Sequence, residues 1–466
     1  MKNLIVKSSF AVIGKNYNMG MKEYDTFQGE GIPLEDILLY RSIDNNILSG
    51  RTPSKNNPDY WNDGEHEFFT MKDADLDLYI LNEECTDKLT DVALQENKNL
   101  LQVPAGTLLV SNAMTIGLAL IAQRSVYINQ NVFALYIDQT RYSKVFLKWY
   151  FNYVLRPKFQ KQYESKYLSK NELGKILLPR IPLEQQKSIE KKIAEIEDQI
   201  TLLKDKFDDD NKAITKIFAR ELAIDFSEID LLKKEKLVFK STKFVDLSSS
   251  NYDMRLGFKF QSPIKTKLEE LLASISTIKL KSLVESPIVL GESISQNDYA
   301  DENIEEYRYV SMASIKNWTV DIENSKFIQT DYFNMSDKTV MPDDIIMARS
   351  GEGTIGKVAL VPKNIRGIFA DFTMRIRIFN EYSAKFIYYY LRSDFIQLLV
   401  ESYKKGLGNN TNIFPNEIND FPVPYLDIDR QAEIIQLIDD ELCKSKEKLE
   451  AINELTSQIR RIIIEF

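Results

Sequence analysis

One order of short motifs occurs twice in this chain, and each pass ends in a long amphipathic segment. The first pass reads Phe68-Phe69-Thr70-Met71, then Thr115-Ile116-Gly117, then Leu178-Pro179-Arg180-Ile181-Pro182-Leu183-Glu184-Gln185-Gln186. The second reads Tyr309-Val310-Ser311-Met312, then Thr354-Ile355-Gly356, then Val423-Pro424-Tyr425-Leu426-Asp427-Ile428-Asp429-Arg430-Gln431. The interval runs from 239 (Thr115 to Thr354) to 245 (Leu178 to Val423). A period that long is no solenoid, so the repeated unit is a whole domain followed by a helix.

The 466 residues exceed what one core holds, and two domains of roughly 180 residues, each with a helix of about 40, suit the usual domain size. Short alternating apolar stretches such as Arg375-Ile376-Arg377-Ile378-Phe379 imply mixed sheets, with helices near 143–160 and 384–402. Cys85 and Cys443 stand far apart, in no metal-ligand spacing, which reads as a reducing compartment. No secretory-signal pattern or long apolar run is visible, so the expectation is a cytoplasmic protein without a membrane partner.

A net charge of −9 argues against a nucleic-acid partner until its distribution is examined. Residues 62–99 hold eleven acids against three lysines. Residues 141–180 hold ten Lys or Arg against Glu164 and Glu172, with Tyr142, Trp149, Tyr150, Tyr153, Tyr163 and Tyr167 interleaved. Basic residues among aromatics suit a phosphate backbone, though a helix with solvated lysines and core aromatics has the same composition.

After Pro182 the apolar residues Ile189, Ile193, Ile196, Ile200 and Leu203 alternate steps of four and three, continuing to Phe207, Ile214 and Ile217 with Asp210 as the break. At the other end Ile435, Ile438, Leu442, Leu449, Ile452 and Ile459 keep the same rhythm, interrupted by Ser445 and Thr456. This is the 3.5-residue period of a coiled coil. The first helix leads into the second domain and the second follows it, so pairing makes them antiparallel. About 38 residues give a rod of roughly 55 Å.

Two motif matches fail on context. Gly351-Glu352-Gly353-Thr354-Ile355-Gly356-Lys357-Val358 fits a phosphate-loop pattern except at its last position. It is followed by Ala359-Leu360-Val361-Pro362, which reads as a strand, so the glycines turn a hairpin. Asn57-Pro58-Asp59-Tyr60 resembles the Asn-Pro-Pro-Tyr motif of amino-methyltransferases but lacks the second proline. With His66 alone and no nucleophile-base pair, no catalytic residue is assigned, and no metal ligand.

The stretch from Ser49-Gly50-Arg51-Thr52-Pro53-Ser54 to Tyr60-Trp61, the paired helix starts, and Arg349-Ser350-Gly351 through Gly356 resemble the specificity subunit of Type I restriction-modification systems. The resemblance implies an α+β fold with two tandem target-recognition domains with mixed β-sheets, separated by two long antiparallel coiled-coil helices in pseudo-two-fold arrangement. Its domains are residues 1–182 and 225–426, its helices 183–224 and 427–466. It implies a non-catalytic chain that reads a bipartite double-stranded DNA target and recruits two methyltransferase subunits for adenine methylation, with motor-nuclease subunits docking on that core. S-adenosylmethionine, ATP and magnesium belong to those partners. The candidate DNA contacts are Arg51, Thr52, Ser54, Lys55, Asn56, Ser111 and Asn112 in the first domain. In the second they are Arg349, Ser350, Glu352, Thr354, Lys357, Lys404, Lys405, Asn409 and Asn410. The copies differ where Ser111-Asn112-Ala113-Met114 faces Arg349 and its glycines, which implies different base preferences. The competing expectation is a coiled-coil scaffold joining two protein-binding domains without DNA readout.

Overall fold

A computed structural model describes residues 31–39, 47–162, 167–205, 209–234, 259–300, 306–321, 323, 325–351, 353–406 and 411–465. The chain divides into two compact units: residues up to Phe207 with Glu447–Phe466, and Asp208–Lys446.

In unit one the strands are β1 (Ile32–Pro33), β2 (Leu48–Ser49), β3 (His66–Phe69), β4 (Ala74–Asp75), β5 (Ile80–Leu81) and β6 (Asp87–Leu89). There follow β7 (Leu101–Val103), β8 (Leu108–Ser111), β9 (Ala119–Ile121), β10 (Val126–Ile128), β11 (Val132–Leu135) and β12 (Leu177–Leu178). They build a six-stranded sheet in the order β2-β11-β8-β9-β5-β4 and a four-stranded sheet in the order β6-β3-β10-β7. The single parallel pairs are β5 with β9 and β3 with β10. The central strands β8 and β11 are buried at every position, which is why they read as continuous apolar runs rather than alternating ones.

Unit two repeats this plan strand for strand. Its strands begin with β13 (Thr277–Lys279), β14 (Val289–Leu290), β15 (Tyr299–Ala300), β16 (Arg308–Val310), β17 (Ile315–Lys316), β18 (Thr319–Val320) and β19 (Lys326–Ile328). They end with β20 (Thr339–Val340), β21 (Ile345–Ala348), β22 (Val358–Leu360), β23 (Gly367–Phe369), β24 (Thr373–Ile376) and β25 (Pro422–Pro424). The six-stranded order β14-β24-β21-β22-β18-β17 and the order β19-β16-β23-β20 reproduce unit one, with β15 added beyond β19. The parallel pairs also recur, as β18 with β22 and β16 with β23. In each unit the first and last strands, β1 with β12 and β13 with β25, pair antiparallel just before the long helix begins.

Helix packing explains the basic, aromatic-rich segment. Ser143 caps Lys144–Tyr150, which runs through a π-turn at Phe151–Leu155 into Arg156–Gln162. Tyr142, Trp149 and Tyr150 are buried core, and Trp149 stacks on Tyr153 at 5.6 Å. Lys148 and Arg156 are buried as well. Lys148 and Arg156 thus belong to the spine of domain one, while Arg141, Lys158, Lys161, Lys175 and Arg180 of the same stretch are exposed. Three of the acids of residues 62–99 are engaged internally: Asp75 and Asp77 hold Lys204 at 2.6 and 2.7 Å, and Glu67 pairs with Arg124.

The long amphipathic segments are helices. Leu183–Asp205 buries Ile189, Ile193, Ile196 and Ile200 in one core with Ile452, Ile459 and Ile463 of the C-terminal helix Ile428–Ile464, and Leu203 packs at its edge. A new helix, Asp210–Glu221, starts where Asp209 accepts a hydrogen bond from the Asn211 N–H, 2.9 Å away. In unit two its Ile214, Ile217 and Phe218 share a core with Ile434 and Ile438, with Ile435 and Leu442 partly buried. Leu449 is half-buried. Arg430 at the start of the C-terminal helix pairs with Glu221 at 2.7 Å, as antiparallel neighbours do. Buried positions of the C-terminal helix recur every seven residues and fix its register: Gln431, Ile438, Ser445, Ile452 and Ile459. Ile434, one residue before the Ile435 that apolar spacing selects, is the position that register buries completely. No helix among the described residues is long and apolar enough to cross a membrane.

Buried titratable groups set an alkaline limit. Burial, with the Asp73 and Glu67 carboxylates nearby, pushes the Cys85 thiol from 9.0 up to about 12. Burial pushes Tyr150 from 10.0 up to about 12. Both native groups hold a proton that the unfolded chain loses first, so their contribution is complete below the unfolded pKa and is lost as pH rises through the folded one. The stability difference between wild type and Cys85→Ala is expected to be constant below pH 9 and to shrink between pH 9 and 12. Urea titrations at several alkaline pH values check this; a difference independent of pH would contradict it.

Candidate nucleic-acid interface

Both domains build the same socket at the end of the six-stranded sheet. In each, a glycine beyond the edge strand passes over the neighbouring chain so closely that a Cβ has no room: 1.8 Å from the Ile128 carbonyl oxygen for Gly50 and 2.1 Å from that of Phe369 for Gly291. In each, the chain after the central strand turns through left-handed residues, Met114 and Gly117 in domain one, Gly351, Gly353 and Gly356 in domain two. The Gly351–Gly356 loop does join an antiparallel hairpin, β21 to β22.

Residue by residue the sockets superpose in their hydrogen bonds. Asn112 N–H donates to the Asn131 carbonyl at 3.1 Å, and Arg349 N–H donates to that of Phe372 at 3.0 Å. Leu168 N–H donates to the Asn112 carbonyl, and Ile413 N–H to that of Arg349, both at 2.9 Å. The side chains continue the correspondence: Asn112 Nδ2 donates to the Gln130 carbonyl at 3.1 Å and to Tyr167 Oη at 2.9 Å. Arg349 Nε donates to the Asp371 carbonyl at 2.7 Å and its Nη1 to Asn412 Oδ1 at 3.0 Å. The frame is therefore shared while the side chain in it differs.

The two fillings present different chemistry. Asn112 and Ser111 are completely buried, Ser111 Oγ donating to the Ala113 carbonyl at 2.9 Å. Their assignment as direct contacts is corrected on that ground: they shape the turn, and the surface above them is carried by the exposed Met114 and Tyr167. Arg349 is half-buried between two exposed rings, its guanidinium carbon 5.6 Å from the centroid of Phe372 and 5.5 Å from that of Phe414.

Around these centres lie the other sequence-derived candidates. Arg51, Ser54, Lys55 and Asn56 are exposed and Thr52 half-exposed, with Thr52 Oγ1 donating to Gln130 Oε1 at 2.5 Å beside the first socket. Lys55 lies 3.7 Å over the Trp61 ring and 2.9 Å from Asp87. Burial opposes ionisation of Asp87, but Lys55 and Lys72 outweigh it and hold the carboxyl below its ordinary range. In domain two, Ser350 bridges to Asn412, and Lys405 exchanges two 2.7 Å backbone hydrogen bonds with Asn412, which draws Arg349, Ser350 and Lys405 together. Lys404 pairs with Glu401 at 2.8 Å and Lys405 with Glu417 at 2.7 Å. Thr354 Oγ1 donates to the Ser350 carbonyl at 2.9 Å, and burial lowers the pKa of Lys357. Glu352, Asn409 and Asn410 lie outside the described residues. Sequence reasoning missed Phe372, which stands one residue before β24, and Asn412 and Phe414, which lie on the segment that returns to Ser350 and Lys405 before β25.

Residues 45–208 match the family model of the Type I restriction modification DNA specificity domain. Among solved structures, a chain from work on complex assembly and conformational transition of the type I R-M system shares 11% identity, covering 94% of this chain and 96% of that one, with a TM-score of 0.47. The Type I restriction-modification S subunit from M. genitalium shares 13% identity over 95% and 98%, TM-score 0.41. The HsdS subunit from Thermoanaerobacter tengcongensis shares 11% over 94% and 95%, TM-score 0.31. The family matched over residues 45–208 is the one that the motifs of both halves resemble.

Proposed function

We propose that this chain is the non-catalytic DNA sequence-specificity subunit of a Type I restriction-modification complex. Domains 1–182 and 225–426 each read one part of a bipartite double-stranded DNA target, and the helical segments 183–224 and 427–466 space the two readings. The same segments recruit two methyltransferase subunits that methylate adenine, with motor-nuclease subunits completing a restriction complex. S-adenosylmethionine, ATP and magnesium act on those partners. The observation that carries this reading is the duplicated socket with different surfaces, exposed Met114 and Tyr167 over a buried Asn112 in one copy and Arg349 between Phe372 and Phe414 in the other. A shared frame with a variable reader is what independent recognition of two unlike half-sites requires. Surface lysines and hydroxyls fix register on phosphates, while a few groove-facing side chains discriminate bases.

Domain exchange tests it. Replacing residues 1–180 by the corresponding part of another such subunit, within the assembled methyltransferase, is expected to change one half of the methylated sequence and leave the other intact. Mapping methylated adenines in cells carrying each version reads this out, and a change in both halves would refute independent domains.

A further inference from the structure

The paired helix starts, Pro-Leu-Glu-Gln-Gln and Asp-Ile-Asp-Arg-Gln, recur with one buried glutamine in common, and the two glutamines do the same thing. Gln186 is the fourth residue of its helix and fully buried. Its Oε1 accepts from the Ser143 N–H at 2.8 Å, and its Nε2 donates to the carbonyls of Ile181 at 2.8 Å and Arg141 at 3.2 Å. Gln431 is the fourth residue of the C-terminal helix and also fully buried. Its Oε1 accepts from the Ser383 N–H at 2.8 Å and its Nε2 donates to the Leu426 carbonyl at 2.9 Å. In both copies the tyrosine before that serine closes the joint: Tyr142 donates to the Pro179 carbonyl and Tyr382 to that of Pro424. A carboxamide both accepts and donates from one planar group, which an ionised glutamate or a leucine does not, so neither reproduces the joint.

The location matters as much as the bonding. Gln186 stands seven residues before the buried Ile193 and fourteen before Ile200; Gln431 stands seven before Ile438 and fourteen before Ser445. Each glutamine therefore begins the same helical face that continues as the coiled-coil seam, and a buried polar group at such a position is a known way to fix register. Turning either helix by one residue about its axis, roughly 100°, would break the glutamine joint and expose the seam together.

We propose that Gln186 and Gln431 are positioning residues that lock the rotational phase of each recognition domain to the seam of its helix, and so set the number of base pairs between the two half-sites. This rests on the bipartite reading proposed above. The test uses the full chain assembled with its methyltransferase partners and a library of DNA duplexes whose two half-sites are separated by variable spacers. Wild type is expected to select one spacer. The double variant Gln186→Met, Gln431→Met is expected to keep both half-site sequences while its discrimination against spacers one base pair longer or shorter falls by about tenfold or more, equivalent to about 1.4 kcal/mol. Tyr142→Phe with Tyr382→Phe, a milder opening of the same joints, is expected to shift the spacer profile in the same direction and supplies the readout if the first variant does not assemble. Unchanged spacer selectivity in a variant that merely melts earlier would overturn the proposal and reduce the glutamines to stabilising groups. A wild-type profile lacking two half-sites would instead overturn the functional reading, and the positioning role with it.

Discussion

Replacing Glu197 with leucine is expected to destabilise domain one by about 3–5 kcal/mol at neutral pH, the usual cost of stranding one member of a buried ion pair. Lys148 is the member left behind. Its side chain is 4% exposed, its Nζ lies 2.5 Å from Glu197 Oε1 and 2.9 Å from the Leu78 carbonyl, and it sits 4.4 Å over the Trp149 ring. Burial already lowers the lysine's pKa, and Glu197 is the largest opposing influence. A depressed lysine pKa means the unfolded chain binds more protons, so stability rises as pH climbs from the folded toward the unfolded pKa. Without Glu197 the depression deepens, so the Glu197→Leu deficit should shrink with rising pH because the variant regains stability, whereas the Cys85→Ala difference shrinks because the wild type loses it. The pair Lys148→Met with Glu197→Leu, which removes both charges, is expected to recover most of the loss. Urea unfolding followed by tryptophan fluorescence checks all three; a Glu197→Leu cost below about 1 kcal/mol would place this pair with ordinary surface ion pairs.

Much of the architecture could be read from motif order, because a duplicated chain duplicates its element order, and β1–β12 recur as β13–β25 with β15 as the one insertion. The hairpin at Gly351–Gly356 was also legible, since β-branched residues and a proline after the glycines exclude a helix there. The site was less legible, for reasons of distance and sign. Asn112 looks like any turn asparagine until Tyr167, 55 residues later, is brought to 2.9 Å. Phe372 and Phe414 look like core residues in a string of letters, yet they are 48% and 37% exposed. Apolar periodicity passes over Gln186 and Gln431 because they are polar, although their seven-residue spacing to Ile193 and Ile438 puts them in the buried register. The basic, aromatic-rich stretch stayed ambiguous, because composition alone cannot tell a lysine facing solvent from Lys148, whose counter-charge lies 49 residues away.

Arg349→Ala is expected to weaken recognition of the second half-site by about tenfold to a hundredfold, the worth of one bidentate base pair contact of about 1–3 kcal/mol, and to relax base preference at one position there. Arg349 is pre-set for such a contact. Two of its N–H groups are tied to Asp371 and Asn412, and the rings of Phe372 and Phe414 flank its plane. Little side-chain freedom remains to be lost on binding, which favours affinity for a planar acceptor pair. Arg349→Lys should not rescue base preference, because an ammonium supplies charge without the fork. Loss of a phosphate contact would behave differently: binding would fall evenly across sequences, lysine would restore much of it, and the salt dependence would flatten by about one counterion. Selection from randomised duplexes, scored separately for the two half-sites at two salt concentrations, distinguishes these outcomes. The first half-site is the internal control, since the equivalent frame there holds Asn112 and is untouched by the substitution. Equal losses in both halves would mean that Arg349 supports assembly rather than reading, and an unchanged sequence preference at full affinity would remove it from the interface altogether.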